Sequence, residues 1–147
     1  MLKTWLSDAT ITLRQSVETW PQALEMCARP LLAAGVIVPE YVTAIIAQHH
    51  QLGPYYVLAP GLAMPHARPE AGAKGLGLSL LKLEQGVSFG AEEFDPVDII
   101  IMLAAPDKHS HIEMIADLAE LFSSEADMHK LHQATSLEEI KKIIARF

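Results

Sequence analysis

Two of the seven histidines stand where an imidazole can do chemistry. His66 falls in Met64-Pro65-His66-Ala67-Arg68-Pro69, between two prolines. Proline fixes its own φ and drives the residue before it towards extended backbone, so His66 belongs to a short, stiff loop. His111 follows Ser110 and precedes an apolar pattern of helical period, which puts it in the first turn of a helix. A helix start carries unsatisfied N–H groups and the positive end of the backbone dipole, and it attracts anions, phosphate above all. A neutral imidazole on one loop, facing a helix start on the next, can take a phosphoryl group on nitrogen. The amides and the second imidazole then receive the charge of the phosphoryl oxygens. A histidine titrating near neutrality has the reactive form available.

Two other readings of the same residues stay open at this level. Both histidines can be structural, His66 bonded to loop backbone and His111 an exposed first-turn residue. Alternatively, His66, His109 and His111 can be three zinc ligands. His-x-His points both rings one way only on a strand, and this pair straddles a helix start. His49, His50, His129 and His132 lie on or near helix ends and read as solvated. Cys27 lies on an apolar helical face and reads as core. No Gly-x-x-x-x-Gly-Lys-Ser/Thr and no Gly-x-Ser-x-Gly occurs, so neither nucleotide hydrolysis nor a serine-hydrolase elbow has support.

The elements that must position these residues can be read in outline. Ile11–Val17 alternates and predicts a strand. Thr19 reads as an N-cap with Pro21 near the first helical position. Trp20, Ala23, Leu24, Cys27 and Leu31 share one face of the helix that follows, Pro30 should kink or end it, and Gly35 suits the C′ place. A second helix starts near Pro39 and Glu40 and frays towards Gln51. Tyr55–Leu58 and Leu62–Met64 read as short strands around the turn Ala59-Pro60-Gly61. Residues 70–75 read as loop, and Gly75–Leu83 as a strand that Gln85-Gly86 interrupts before Val87 and Phe89. Asp98–Ala105 is almost wholly apolar and suits a strand covered on both faces. Ser110 and Glu113 form a capping-box signature, with Ile112, Ile115, Ala116, Ala119 and Phe122 as the expected buried face. A short helix follows over Ala126–Gln133. Ser136 and Glu139 repeat the signature before a last helix with Ile140, Ile143, Ile144 and Phe147 apolar. Helices interspersed with strands predict an α/β layer fold, and 147 residues predict one domain with a real core.

The formal charge of −7 argues against nucleic acid and against anionic membranes, and suits a basic protein partner. The longest apolar run, Val97–Ala105, is interrupted by Asp98 and is far too short to span a bilayer. No basic region followed by an apolar core opens the sequence, so no signal peptide is expected. A single cysteine excludes an internal disulfide framework. Together these predict a cytoplasmic protein.

Leu58-Ala59-Pro60-Gly61-Leu62-Ala63-Met64-Pro65-His66-Ala67-Arg68-Pro69, with Lys108-His109-Ser110-His111-Ile112-Glu113 further on, resembles the enzyme IIA domains of the sugar phosphotransferase system. The similarity runs over essentially the whole chain, 1–147. It lies with the mannitol/fructose-type superfamily, and the stretch Gly53–Pro69 is close to its ascorbate-specific branch. The resemblance implies a mixed central sheet flanked by helices, with both histidines in a shallow cleft. It implies that His66 takes a phosphoryl group from the phosphohistidine of the carrier protein HPr. The group would pass to a cysteine of a separate enzyme IIB serving a membrane-spanning IIC. His111 matches the second histidine, which steadies the phosphoryl group; no metal and no diffusible cofactor is implied. Mannitol-type relatives have an arginine near the end of the second helix, where this chain has Gln48, His49 and His50. Arg68 or Lys108 then supplies the positive charge, with Ser110 in support, or the amides and His111 suffice. A nitrogen-type regulatory IIA is the alternative role, and a homodimer stays open, since core packing explains the same apolar residues.

Overall fold

The computed structural model describes residues 1–147. Five strands, β1 (Ile11–Arg14), β2 (Val57–Ala59), β3 (Leu62–Ala63), β4 (Gly77–Val87) and β5 (Val97–Ala104), form one sheet in the order β1-β4-β5-β3-β2. The sheet is mixed: β1 runs parallel to β4 and β3 parallel to β5, while β4–β5 and β2–β3 are antiparallel. Helices α1 (Trp20–Ala33) and α2 (Pro39–Leu52) lie on one face. Helices α3 (Ile112–Ser123), α4 (Glu125–Gln133) and α5 (Leu137–Ile144) cover the other with the N-terminal turn.

The side-chain period of a strand explains why β5 reads as unbroken apolar sequence. Ile100, Met102 and Ala104 pack under α1 and α2, and Ile99, Ile101 and Leu103 pack under α3, α4 and α5. β4 is divided the same way, with Leu81 and Leu83 to one side and Leu78 and Leu80 to the other. Cys27, 1% exposed, meets Ser79 on the first face, and burial pushes its thiol up to about 11. The sequence reading of Cys27 as core holds.

Several expectations need correction. α1 runs through Pro30 to Ala33 without ending there. Proline removes one backbone donor, but Cys27, Ala28 and Leu31 are buried on the sheet and hold the last turn in place. The helix stops where expected, at Gly35 with φ +71°, and the Gly35 and Val36 amides bond back to Leu32 and Leu31. β4 passes through Gln85-Gly86 as one strand with a register shift. A Cβ on Gly86 would lie 2.9 Å from Pro96 Cβ, so glycine here allows close approach of backbone and is not a break.

α3 differs most from its sequence reading. Its buried residues are Met114, Leu118 and Leu121, while Ile112 and Ile115 are 63% and 39% exposed. Ala116 and Ala119 also face outward. Two apolar stripes of the same period run along this helix, and only one can face the sheet. The Met-Leu-Leu stripe reaches the Ile99–Leu103 cluster, which leaves the two isoleucines beside the helix start unpartnered.

Candidate functional site

The rigid loop expected around His66 is built from three tethers. Leu103 N–H donates to Pro65 O at 3.1 Å, which ties the loop to β5. Tyr41, wholly buried on α2, accepts from the Ala67 amide at 3.0 Å and donates to Leu103 O at 2.7 Å. The Tyr55 hydroxyl shares its proton between Gln48 Oε1 (2.7 Å) and the His66 carbonyl (3.2 Å). Burial raises the pKa of both phenols, so each stays an O–H donor.

The imidazole itself is oriented by its neighbour. His66 Nδ1 lies 2.9 Å from the Met64 carbonyl, which can only accept, so Nδ1 carries the proton. Nε2 is then the nitrogen with the free lone pair. The Tyr55 ring meets the imidazole edge-on, with centroids 6.4 Å apart. Tyr41 and Tyr55 escaped the sequence reading of the site. The available signal was Tyr55-Tyr56 directly after Gly53-Pro54, four polar-tipped or turn-forming residues at the entrance to the histidine loop.

His66 and His111 line one cleft of about 340 Å³, whose walls include Asp107, Lys108, Leu103 and Ile115. The two histidines that the sequence proposed as a pair are therefore brought together by the fold. Lys108 is on the cleft wall, while Arg68 and Ser110 are not among its lining residues. A larger hollow of about 460 Å³, between α4 and α5, is lined by Lys130, Lys142 and Arg146 among others, and by neither of these histidines.

The start of α3 is not the capping box that Ser110 and Glu113 suggested. His111 is the N-cap and makes no side-chain cap bond. Asp107 Oδ1 accepts instead from the amides of His109 (2.8 Å) and Ser110 (2.7 Å). The carboxylate closes a turn just upstream, so the helix begins one residue later and Ser110 is out of position. These bonds hold the Asp107 carboxyl below the usual carboxylate range. The amides of His111, Glu113 and Met114 have no partner within the chain. His111 Nδ1 is likewise buried without a hydrogen-bond partner, so its ring is less constrained than that of His66.

The other histidines separate. His66, His109 and His111 are not gathered into a three-residue group placed to hold a metal ion. His49 is buried, not solvated: it stacks on Trp20 with centroids 3.7 Å apart and meets the Tyr56 hydroxyl through Nδ1 at 2.7 Å. Desolvation lowers its pKa. His132 is also not free, its Nδ1 lying 2.8 Å from Asp98, which pairs in turn with the buried Lys82 at 3.3 Å. Helix ends here pack onto the sheet, which is why position on a helix misjudged both. His50 is exposed beside Trp20 and does not line the cleft.

An imidazole with a defined free nitrogen, in one cleft with a helix start whose first amides are unpaired, is an arrangement able to hold a phosphoryl group, on an α/β fold. Comparison with known proteins makes the assignment specific. The family described as "Phosphoenolpyruvate-dependent sugar phosphotransferase system, EIIA 2" matches residues 4–147, and the chain belongs to it. It is accordingly an EIIA component of that system, a phosphotransferase component. The chain is 41% identical over 140 residues to the ascorbate-specific PTS system EIIA component of Escherichia coli (strain K12), covering 95% of this chain and 91% of that protein. Among solved structures it resembles the mannitol-specific cryptic phosphotransferase enzyme IIA CmtB of Escherichia coli at 39% identity and TM-score 0.92, with 99% of each chain covered. It also resembles the Escherichia coli mannitol enzyme IIA solved in complex with phosphorylated enzyme IIB, at 28% identity and TM-score 0.81, covering 97% of this chain and 98% of that one. The expected mixed-sheet α/β fold is that of these mannitol-type structures.

Proposed function

We propose that residues 1–147 act as one cytoplasmic EIIA domain in which His66 Nε2 accepts a phosphoryl group from phospho-HPr and passes it to a cysteine of a separate IIB. The observation that carries this reading is the Nδ1–Met64 carbonyl bond of 2.9 Å, which leaves Nε2 as the nucleophile. As the His66 Nε2–P bond forms, the N–P bond to the donor imidazole breaks, and its electron pair returns to the departing ring. Positive charge develops on the His66 ring, and the Met64 carbonyl holding the Nδ1 proton stabilises it. The open amides of His111, Glu113 and Met114, the His111 ring and the Lys108 ammonium receive the phosphoryl oxygens. Donation to the IIB thiolate reverses the sequence: a P–S bond forms, the P–Nε2 bond breaks, and Nε2 regains its lone pair.

The IIB acceptor is supported by the mannitol enzyme IIA structure, which was solved with its phosphorylated IIB. The transported substrate proposed is L-ascorbate or a related sugar acid or pentitol, on the strength of the 41% identical relatives that carry that specificity in their names. The exposed Ile112 and Ile115 beside the cleft, on a chain of net charge −7, suit docking of a basic partner with an apolar contact patch. No helix is long and apolar enough to cross a membrane, and the membrane-spanning IIC is proposed on the strength of the family alone.

The test is incubation with phosphoenolpyruvate, enzyme I and HPr, followed by intact mass and acid treatment. One acid-labile phosphoryl group, lost in His66→Ala and handed on to an ascorbate-type IIB, is the expected result. Absence of any adduct on folded protein overturns the reading. An adduct that is never handed on to IIB points to the regulatory role instead.

A further inference from the structure

We propose that Asp107 sets the phosphoryl-transfer potential of His66: its carboxylate, fixed on the wall of the same cleft, repels a phosphoryl group on Nε2 and keeps it ready to leave. This rests on the phosphocarrier reading above. Asp107 and His66 line one hollow of about 340 Å³. Both line the same solvent-open cleft, so the exposed carboxylate acts on a charge at Nε2 through water and is screened by salt. The Asp107 carboxylate cannot swing freely, because it accepts from two amides at 2.8 and 2.7 Å. It thereby also takes two of the backbone donors nearest the helix start, which a phosphoryl group could otherwise use. What remains is His111, Glu113 and Met114 N–H, with Lys108 adjacent in sequence as a partial offset.

A carrier has a different requirement from a storage site. It must accept from one protein and give to another, so a cleft that binds the phosphoryl group too well turns it into a sink. Full use of a helix start plus a lysine would do that. An internal anion at the same helix start weakens the hold while leaving the nucleophile untouched. Asp107 is in this sense a tuning residue that acts through the charge on His66, not a catalytic one.

Asp107→Asn separates charge from structure, because the amide oxygen can still accept from both backbone N–H groups. The exchange equilibrium with phospho-HPr and the half-life of the phosphoprotein are measured by intact mass at low and at high salt. The expected result is a shift towards the phosphorylated EIIA of about three- to tenfold at low salt, with a longer half-life, and a smaller shift at high salt. Asp107→Glu, which retains the charge, should stay near the wild-type equilibrium. An unchanged equilibrium in Asp107→Asn, with wild type readily phosphorylated, overturns the inference alone. So does a shift that persists undiminished in high salt, which would mark a change in turn geometry. Wild-type protein that accepts no phosphoryl group overturns the phosphocarrier reading and this inference with it.

Discussion

Ser110-His111-Ile112-Glu113 and Ser136-Leu137-Glu138-Glu139 carry the same helix-start signature, and the structure treats them in opposite ways. At α5 the box closes. Ser136 Oγ accepts from the Glu139 amide at 3.2 Å, and the Glu139 carboxylate reaches back to the Ser136 hydroxyl at 3.0 Å and the Thr135 amide at 3.5 Å. At α3 it stays open, because Asp107 has drawn the preceding amides into its own turn. A helix start satisfied from within has little left for a ligand, whereas one left uncapped on the cleft that His66 lines keeps its donors for one. A capping signature therefore reports where a helix begins more securely than what its first turn does.

The hardest test of this contrast removes the group that the open start faces. His66→Ala should abolish phosphorylation by phospho-HPr, measured as loss of the mass adduct on folded protein. His111→Ala should still accept, but with transfer slowed on the order of a hundredfold in one or both directions, as for loss of a single oxyanion donor. Wild-type transfer rates in that variant would remove the helix start of α3 from the mechanism.

Stability should report on the parts of the molecule away from the open start. Folding keeps the Cys27 thiol neutral, so its contribution is fully present below pH 9 and is lost as pH rises towards 11, where the folded thiol ionises. Denaturant titrations from pH 8 to 11 should show a fall to which this thiol contributes on the order of 2–3 kcal/mol; Cys27→Ala should lose that part and keep the part above about pH 10 that comes from the buried tyrosine phenols. The two serines give the finest comparison. Ser136→Ala should cost about 1 kcal/mol by loss of a working cap, whereas Ser110→Ala should stay within about 0.5 kcal/mol. Equal losses at both would show that α3 is capped after all.

Much of this was legible in advance, for identifiable reasons. Pro65 and Pro69 act on their own and adjacent backbone, so the stiff histidine loop could be read from six residues. β5 was recognisable as doubly covered because apolar side chains on both phases of a period-two repeat admit no other soluble placement. The buried stripe of α3 was misjudged because Ile112/Ile115 and Met114/Leu118/Leu121 fit the same period. Choosing between them depends on how the chain leaves β5 and lands on the sheet. His49 and His132 read as solvent-facing because helix position alone does not reveal Trp20, Tyr56 or Asp98 waiting across from them.

The division is one of range. By itself the sequence determined what depends on neighbours along the chain: the proline-bounded loop, the places where helices start and stop, the apolar runs, and the motif resemblance that singled out His66 and His111. Only the tertiary structure decided what depends on segments far apart in sequence. The Met64 carbonyl chooses the free nitrogen of His66 only once the loop is folded against β5 and held by Tyr41 from α2. The cleft itself exists only because β3 and β5 are neighbours, which sets the loop after one beside the helix start after the other.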